Sequence, residues 1–284
     1  MHIESWQNAF FCDGVRWKPL KPGILYVITT KLQKYILPLE QRLPIKQNNR
    51  AGSHLIYGVQ KSGTTVIANA LSYCAKKSLT SDHIGIWPIA DIKAEERSQF
   101  IKSLVERHPL TLSRTFIKEP SMTLAPELFS AYYPNASILV IRNPLDTIRS
   151  ILDRLNIHPS SSTLDEKAVH PGWKHVFKLG SQDPPFIQLA DYWVRCMSNP
   201  HWDSKSVFKV YYNEFLAHPD DVVSDALSYL DLKMKRSSKM ILSTQFQSKG
   251  ANRNAPLESI TNAKTLSLAD EMTRPVYEHL KQGR

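Results

Sequence analysis

Short apolar runs followed by amphipathic stretches recur along the chain, and this pattern predicts strands followed by helices. The runs at 54–59 (HLIYGV) and 136–144 (ASILVIRNP) are almost continuously apolar, which is typical of strands covered on both faces of a parallel sheet. Apolar positions at helical spacing predict a helix from Thr64 to about Lys76. Another helix is predicted at 144–155, where proline takes the favoured first-turn position.

The same criteria predict the remaining elements. Further helices are predicted at 91–109, 123–134, 185–199 and 218–232, and further strands at 114–120 and 206–215. The resulting alternation of strands and helices favours an α/β fold with a central, mostly parallel sheet flanked by helices.

Polar stretches divide the chain into an arm and one large domain. Residues 1–50 are expected to form an N-terminal arm that packs on the core, with an apolar helix at 23–39. Residues 51–284 are expected to form a single domain, in which the Ser-, Pro-, Gly- and His-rich segment 156–186 is a long loop or lid. The helix at 23–39 has too few consecutive apolar residues to span a membrane. A helix that lies on a membrane surface is the alternative.

The charge balance indicates a negatively charged partner. The net charge is +10, yet no run of Lys or Arg exceeds three residues, which favours a polyanionic small cofactor over nucleic acid. The three cysteines are odd in number and lack metal-ligand spacing, so we expect reduced thiols. Because the first residues lack a basic region followed by an apolar run, we expect a cytoplasmic protein without an export signal.

The stretch IYGVQKSGTTVIANAL at 56–71 predicts an anion site. Backbone N–H groups and the helix dipole give the start of a helix a positive potential. Gly58 and Gly63 allow the chain to curl around a phosphate. Lys61 adds a full charge, and hydroxyl donors follow at Thr64 and the next residue.

The loop departs from the common triphosphate-binding pattern GxxxxGK[ST]. The two glycines keep the spacing, but Thr64 stands where the lysine would bridge the outer phosphates. Thr65 could still supply a magnesium-holding hydroxyl. An ordinary turn and helix cap is the alternative interpretation of the same residues.

A second anion-binding stretch, RNPLDTIRS, lies at 142–150. Arg142 ends the most apolar strand, and Ser150 lies two helical turns into the next helix. Together they could grip a second phosphate, since arginine is suited to bidentate phosphate contacts. The alternative is that Arg142 forms an ion pair with Asp146.

The motif KSGTT at 61–65, followed by RNPLDTIRS at 142–150, resembles the sulfotransferases that use 3′-phosphoadenosine-5′-phosphosulfate (PAPS). In that family the first motif cradles the 5′-phosphosulfate and the second holds the 3′-phosphate. The resemblance spans roughly 52–255. Within the family, the chain resembles the soluble bacterial enzymes that act on small molecules. It implies a P-loop-like, three-layer fold, PAPS as donor, adenosine 3′,5′-bisphosphate (PAP) as product, and no metal requirement.

Two weaker matches complete the implied nucleotide site. The segment YYNEF places Tyr212 where a family tyrosine lies near the adenine. In the late loop QSKGANR, Ser248 replaces a family arginine, for which Arg253 could compensate. The nucleotide-binding residues implied by the resemblance are Lys61, Ser62, Gly63, Thr64, Thr65, Arg142, Ser150, Tyr212, Lys249, Gly250 and Arg253.

The chain also departs from the family pattern. Val66 stands where many cytosolic members have a tryptophan that stacks on adenine. The dimerisation motif of eukaryotic members is absent, which leaves a homodimer open without it. The family's catalytic histidine is missing, because the corresponding segment reads FIKEP.

Sulfuryl transfer needs positive charge at the leaving group and a base for the acceptor proton. Lys61 lies where it could stabilise the charge of the leaving group, and Lys118 is a second candidate for this role. Glu119 lies where the family histidine would fall, and we expect it to be the base unless it merely pairs with Lys118. The histidines of the predicted lid are alternative bases: His158, His170 and His175.

The acceptor is expected to be a small metabolite or natural product with a hydroxyl or amine. Trp173, Phe177 and Phe186 could shape its pocket or could simply pack in the core. A cationic acceptor is favoured if Asp165 and Glu166 face the pocket together with the expected base. Two other functions stay open, a kinase-like P-loop phosphotransferase and a non-enzymatic polyanion-binding protein.

Overall fold

A single parallel sheet organises the computed structural model, which describes residues 37–38, 52–167, 169–243 and 256–282. The strands are β1 His54–Tyr57, β2 Leu79–Ser81, β3 Phe116–Lys118, β4 Ser137–Ile141 and β5 Val207–Tyr211. Their order across the sheet is β2-β3-β1-β4-β5, and all four pairings are parallel. The α/β fold with a central parallel sheet is therefore confirmed.

Helices and short 3₁₀ turns cover both faces of the sheet. The helices are α1 Thr64–Ala75, α2 Ala94–Arg107, α3 Pro126–Ser130, α4 Pro144–Leu155, α5 Pro185–Met197, α6 Tyr212–Ala217, α7 Pro219–Tyr229, α8 Lys239–Leu242, α9 Leu257–Ile260 and α10 Ala263–Gln282. The 3₁₀ turns are Trp87–Ala90, Thr111–Ser113, Pro120–Leu124, Pro171–Val176 and Pro200–Asp203. In the described parts of the chain, no helix has the length and apolar character to cross a membrane.

Two buried apolar clusters lie on opposite faces of the sheet. Successive side chains of a strand point to opposite faces, so Leu55 and Tyr57 join one cluster while Ile56 joins the other. The first cluster includes the apolar faces of α4, α5 and α10, and the second includes those of α1 and α7. This double covering explains why β1 and β4 are almost continuously apolar.

Several element boundaries differ from the sequence-based predictions. The helix predicted at 123–134 is only a 3₁₀ turn followed by the five residues of α3. The strand predicted at 206–215 ends at Tyr211, and α6 begins at once with Tyr212. The predicted loop 156–186 contains the 3₁₀ turn Pro171–Val176 and the start of α5.

The apolar pattern did not predict β2 or α10. The three residues of β2, LTS, are too few and too polar to show a period. The buried stripe of α10 consists largely of small or polar residues, Thr265, Ala269 and Thr273, which a search for large apolar residues overlooks. The predicted arm 1–50 lies outside the described residues except for Leu37 and Pro38, so the arm and the domain boundary at 51 stay predictions.

The strand register brings the carboxyl ends of the central strands together. Ile56 of β1 lies opposite Lys118 of β3 and opposite Ile138 of β4. Ile141 of β4 lies opposite Tyr211 of β5. In a parallel sheet of this kind, ligands bind in the crevice outside the carboxyl ends of the strands. The residues that follow β1, β3, β4 and β5 therefore share one edge, where the predicted site residues lie.

Candidate functional site

The loop between β1 and α1 is a tight turn whose glycines are required by its geometry. Gly58 has φ 143° and its N–H donates to Thr123 Oγ1 at 2.9 Å. A Cβ on Gly58 would lie 2.8 Å from Ser62 Oγ and from the Val140 carbonyl oxygen, closer than such contacts occur. The turn is closed by Ser62 N–H, which donates to the Val59 carbonyl at 3.2 Å.

The start of α1 offers donors that the described residues leave unused. Gly63 is its N-cap, without a side-chain hydrogen bond to the helix, and the first turn has no acidic residue. The Ser62 hydroxyl is fully buried and has no hydrogen-bond partner among the described residues. The N-terminus of α1 is suited to bind an anion, whereas the Ser62 hydroxyl is packed against Gly58 inside the turn and is closed off from a ligand in this conformation.

Gly63 also makes room for Tyr212 at the start of α6. Gly63 has φ 98°, and a Cβ there would lie 2.3 Å and 2.5 Å from two carbons of the Tyr212 ring. The ring thus lies against the loop backbone. Tyr212 therefore lies beside the loop that is predicted to bind the nucleotide.

Replacing Gly63 with alanine is expected to displace Tyr212 and weaken PAP binding by at least about tenfold, besides a strain of about 1–2 kcal/mol. Isothermal titration calorimetry with PAP measures the first effect, and thermal unfolding measures the second. Gly180→Ala is the matched control, since Gly180 has φ 77° but no atom within 4 Å of an added Cβ. Equal PAP affinity in both variants would contradict the role given to Tyr212.

Lys61 lies in the middle of the loop, with a left-handed φ of 67°. Burial lowers the pKa of Lys61 to about 8, and the positive charges of Arg154 and Arg142 act in the same direction. Asp153 acts in the opposite direction. A negatively charged ligand would offset this repulsion among the cations, and the place of Lys61 beside a leaving group stays a prediction.

Arg142 joins the two predicted anion loops. Its Nη1 donates to the Lys61 carbonyl at 3.0 Å, and its guanidinium lies 5.1 Å from the centre of the Tyr212 ring. Asp146, the alternative ion-pair partner in the sequence, pairs with Arg149 at 2.7 Å. The loop after β1, the end of β4 and the start of α6 therefore meet at one place.

The other residues that are predicted to bind the nucleotide belong to α1, to α4 and to the late loop. Ser150 is partly buried on α4, the helix that follows Arg142. Thr64 is buried, and Thr65 is partly exposed in the first turn of α1. The late-loop residues Lys249, Gly250 and Arg253 lie outside the described residues and stay predictions.

Lys118 ends β3 directly beside the loop. Its side chain is 2% exposed, its Nζ donates to Thr65 Oγ1 at 3.0 Å, and it forms an ion pair with Asp82. Asp82 follows β2 and donates its N–H to the Lys118 carbonyl at 2.8 Å. The sequence alternative of a surface Lys118–Glu119 pair is wrong, because both side chains are buried and the lysine pairs with Asp82.

Glu119 is buried with both carboxylate oxygens hydrogen-bonded. Oε1 accepts from the Ser121 N–H at 3.0 Å and from the Ser121 hydroxyl at 3.1 Å, and Oε2 accepts from Trp87 Nε1 at 3.1 Å. Burial raises the pKa of Glu119 to about 7, and the negative charge of Asp82 adds to the rise. A carboxyl group with this pKa is suited to accept a proton near neutral pH.

Part of the predicted lid packs in the apolar core. Phe177 and Phe186 are buried in the core, and Trp173 packs against it. Asp165 accepts from the Lys167 N–H at 3.1 Å and Glu166 accepts from the Gly180 N–H, which ties both acids into the segment itself. The packing interpretation of Phe177 and Phe186 is therefore confirmed.

Of the three histidines considered as bases, the structure brings one to the loop. His175 Nε2 lies 2.8 Å from Nε2 of Gln60, the residue before Lys61. His158 and His170 are exposed at the surface. Among the described residues, no group of three or more His, Cys, Asp or Glu is placed to hold a metal ion.

Three residues of this region could not be predicted from the sequence: Gln60, Asp82 and Trp87. Asp82 was overlooked because it follows a strand that the apolar pattern did not reveal. Trp87 contacts the site from a 3₁₀ turn that has no sequence period, and Gln60 gains its role only through a tertiary contact. The rule that strand ends meet at one edge would have found Asp82 once β2 was known.

Comparisons with known proteins find likeness only among solved structures, since no protein-family model and no curated protein matches the chain. A sulfotransferase from Alicyclobacillus acidocaldarius is 15% identical, with a TM-score of 0.44 and coverage of 78% of this chain and 95% of that one. The sulfotransferase domain from the curacin biosynthetic pathway is 13% identical, with a TM-score of 0.44 and coverage of 82% and 99%.

A mouse sulfotransferase, SULT7A1 complexed with PAP, is 15% identical, with a TM-score of 0.42 and coverage of 90% of this chain and 96% of that one. The chain is thus similar to sulfotransferases of known structure.

Proposed function

We propose that the protein is a PAPS-dependent sulfotransferase, which transfers a sulfuryl group to a hydroxyl or amine of a small-molecule acceptor. The observation that carries the proposal is the contact of Arg142 with both the Lys61 carbonyl and the Tyr212 ring. Two anion-binding loops thereby face one site, with an aromatic ring between them. A nucleotide with phosphates at both the 5′ and 3′ positions fits this arrangement.

In this proposal each loop holds one phosphate group of the donor. The N–H groups at the start of α1 hold the 5′-phosphosulfate, with Thr64 and Thr65 as further donors. Arg142 and Ser150 hold the 3′-phosphate, and Tyr212 lies beside the adenine. Lys249, Gly250 and Arg253 would close over the 3′-phosphate from the late loop.

The chemical step is an in-line displacement at sulfur. The acceptor oxygen or nitrogen forms a bond to sulfur, and the bond between sulfur and the 5′-phosphate oxygen breaks to release PAP. Lys61 stabilises the charge that develops on the departing phosphate, and Lys118 adds positive potential. The acceptor proton passes to Glu119, whose raised pKa suits it to this role.

A nucleotide-binding experiment tests the donor assignment. We expect PAP to raise the melting temperature more than ATP with Mg²⁺ does. The reason is that the Lys118 ammonium lies 3.0 Å from Thr65 Oγ1, the hydroxyl that would have to face a magnesium ion. A larger shift with ATP and Mg²⁺ would favour the kinase-like alternative. PAP binding without transfer to any acceptor tested would favour the non-enzymatic alternative.

Replacing Arg142 with lysine is expected to weaken PAP binding by about tenfold or more, because lysine keeps the charge but loses the planar fork that reaches two oxygens. Binding of AMP, which lacks the 3′-phosphate, should weaken less. Calorimetry with both nucleotides measures the difference.

Arg149→Lys is the matched control for this experiment. Arg149 lies on α4 in the same motif, but its guanidinium pairs with Asp146 at 2.7 Å. An equal loss of PAP affinity in both variants, or an equal loss of AMP and PAP affinity in Arg142→Lys, would contradict the assignment of Arg142 to the 3′-phosphate.

A further inference from the structure

Gln60 links the loop between β1 and α1 (residues 58–63), which we call the phosphate loop, to the 3₁₀ turn Pro171–Val176. Its side-chain Nε2 lies 2.8 Å from His175 Nε2, and its Oε1 accepts a hydrogen bond from the Tyr192 hydroxyl. Tyr192 belongs to α5, so the side chain of Gln60 contacts two elements outside the loop. It is 8% exposed, and a buried amide of this kind is costly unless its polar atoms are bonded.

The directions of these hydrogen bonds define which ring nitrogen of His175 carries the proton. Tyr192 donates to the amide oxygen of Gln60, so the amide nitrogen faces His175 and donates to it. His175 Nε2 must then accept, which places the ring proton on Nδ1. Burial lowers the pKa of His175 to about 4, in agreement with a neutral ring.

The partners of Gln60 are fixed to the core. Tyr192 is fully buried in α5. His175 is followed by Val176 and Phe177, which are both buried in the apolar cluster that includes α5. Gln60 therefore connects the loop to two elements that pack in the core.

On the loop side, Gln60 comes directly before the strained position. Lys61 has a left-handed φ of 67°, a backbone conformation that costs a non-glycine residue energy unless its surroundings hold it. The Lys61 carbonyl is also held by Arg142 at 3.0 Å. A change in the loop on binding a nucleotide would therefore be passed through the side chain of Gln60.

We propose that Gln60 is a positioning residue that couples the occupied phosphate loop to the 3₁₀ turn carrying His175. Binding of PAP should then stabilise that turn although its residues do not hold the phosphates. The inference rests on the proposed function only for the identity of the nucleotide. Through this coupling the turn carrying His175 would open less often when the donor is bound.

Hydrogen exchange of the full chain with and without saturating PAP tests the coupling. In the wild type, we expect PAP to slow exchange in peptides covering 58–65 and, by about threefold or more, in peptides covering 172–177. In Gln60→Met, which keeps the side-chain size, the slowing at 58–65 should persist and that at 172–177 should be lost. His175→Phe should give the same separation, which keeps the test available if one variant does not fold.

Gln188→Met is the matched control. Gln188 is also buried, at 3% exposure, and it holds the same segment by accepting from the Lys178 N–H at 3.0 Å and donating to the Asp183 carbonyl at 2.7 Å. These bonds do not involve the phosphate loop. Gln188→Met should raise exchange around 178–184 in both states while keeping the PAP-dependent slowing at 172–177.

Two results would overturn the coupling. One is slowing at 172–177 that persists in Gln60→Met and His175→Phe, and the other is slowing in the wild type that is confined to 58–65. A wild type that shows no PAP binding and no slowing at 58–65 is a different outcome. It would contradict the proposed function itself and remove the coupling with it.

Discussion

Replacing Lys61 with alanine is expected to lower the rate of sulfuryl transfer by about 10²–10³-fold, which corresponds to the loss of one preorganised group that stabilises a developing negative charge. PAP binding should weaken less than the rate falls, since the backbone donors of the loop and Arg142 remain. Single-turnover transfer from PAPS and calorimetry with PAP measure the two effects separately.

Lys76→Ala is the control for this prediction. Lys76 follows the other end of α1 and also has a left-handed φ, 53°, but its side chain is exposed. Both alanine variants therefore keep the same backbone strain, and only Lys61→Ala removes a charge from the loop. Equal transfer rates in the two variants would show that Lys61 does not act on the leaving group.

The second large effect is expected at Glu119. Glu119→Gln keeps the size of the side chain and still accepts from the Ser121 N–H, but it loses the hydrogen bond from Trp87 Nε1 and cannot accept a proton from the acceptor. Turnover is expected to fall by about 10²–10⁴-fold, the range of general base catalysis, while PAP affinity stays within about threefold. Single-turnover transfer and calorimetry again separate the two quantities.

The pH dependence of the wild type gives an independent readout. Glu119 has a pKa raised to about 7 in the ligand-free protein and becomes a base as it loses its proton, so kcat/KM for the donor should rise as the pH increases through about 7. Lys61 has a pKa lowered to about 8 in the ligand-free protein and loses its positive charge above that value, so kcat/KM should fall at higher pH. Glu119→Gln should abolish the rising limb and keep the falling one.

Glu127→Gln is the matched control. Glu127 lies in the first turn of α3, and its carboxylate accepts from Asn199 Nδ2 at 3.1 Å on the protein surface. This substitution should leave turnover unchanged. Near-wild-type turnover in Glu119→Gln as well would mean that Glu119 only caps the 3₁₀ turn Pro120–Leu124, for which its bonds to Ser121 are sufficient.

The elements that could be predicted from the sequence are those whose apolar residues form a continuous run or recur at helical spacing. The apolar runs of β1 and β4 and the helical spacing of α1 gave the centre of the sheet and the loop with Lys61. The position of Arg142 at the end of β4 followed from the same pattern. Its contact with the Lys61 carbonyl did not, because it depends on how two loops far apart in the sequence meet.

The remaining features depend on tertiary contacts that a local pattern does not encode. The three-residue strand β2 exists because it pairs with β3, and α10 packs through small residues such as Ala269. The ion pair of Lys118 with Asp82 depends on the unpredicted strand. A carboxylate and a lysine adjacent in sequence suggested a surface pair, whereas the sheet buries both.

Because Gly63 contacts the Tyr212 ring, the two positions cannot be substituted independently of each other. This holds for evolution and for protein engineering alike. While residue 212 is aromatic, any side chain at 63 collides with it, so the order of substitutions matters. A smaller residue at 212 would remove the collision but also the ring that faces Arg142. Any redesign of this site therefore has to treat the loop and the start of α6 as one unit.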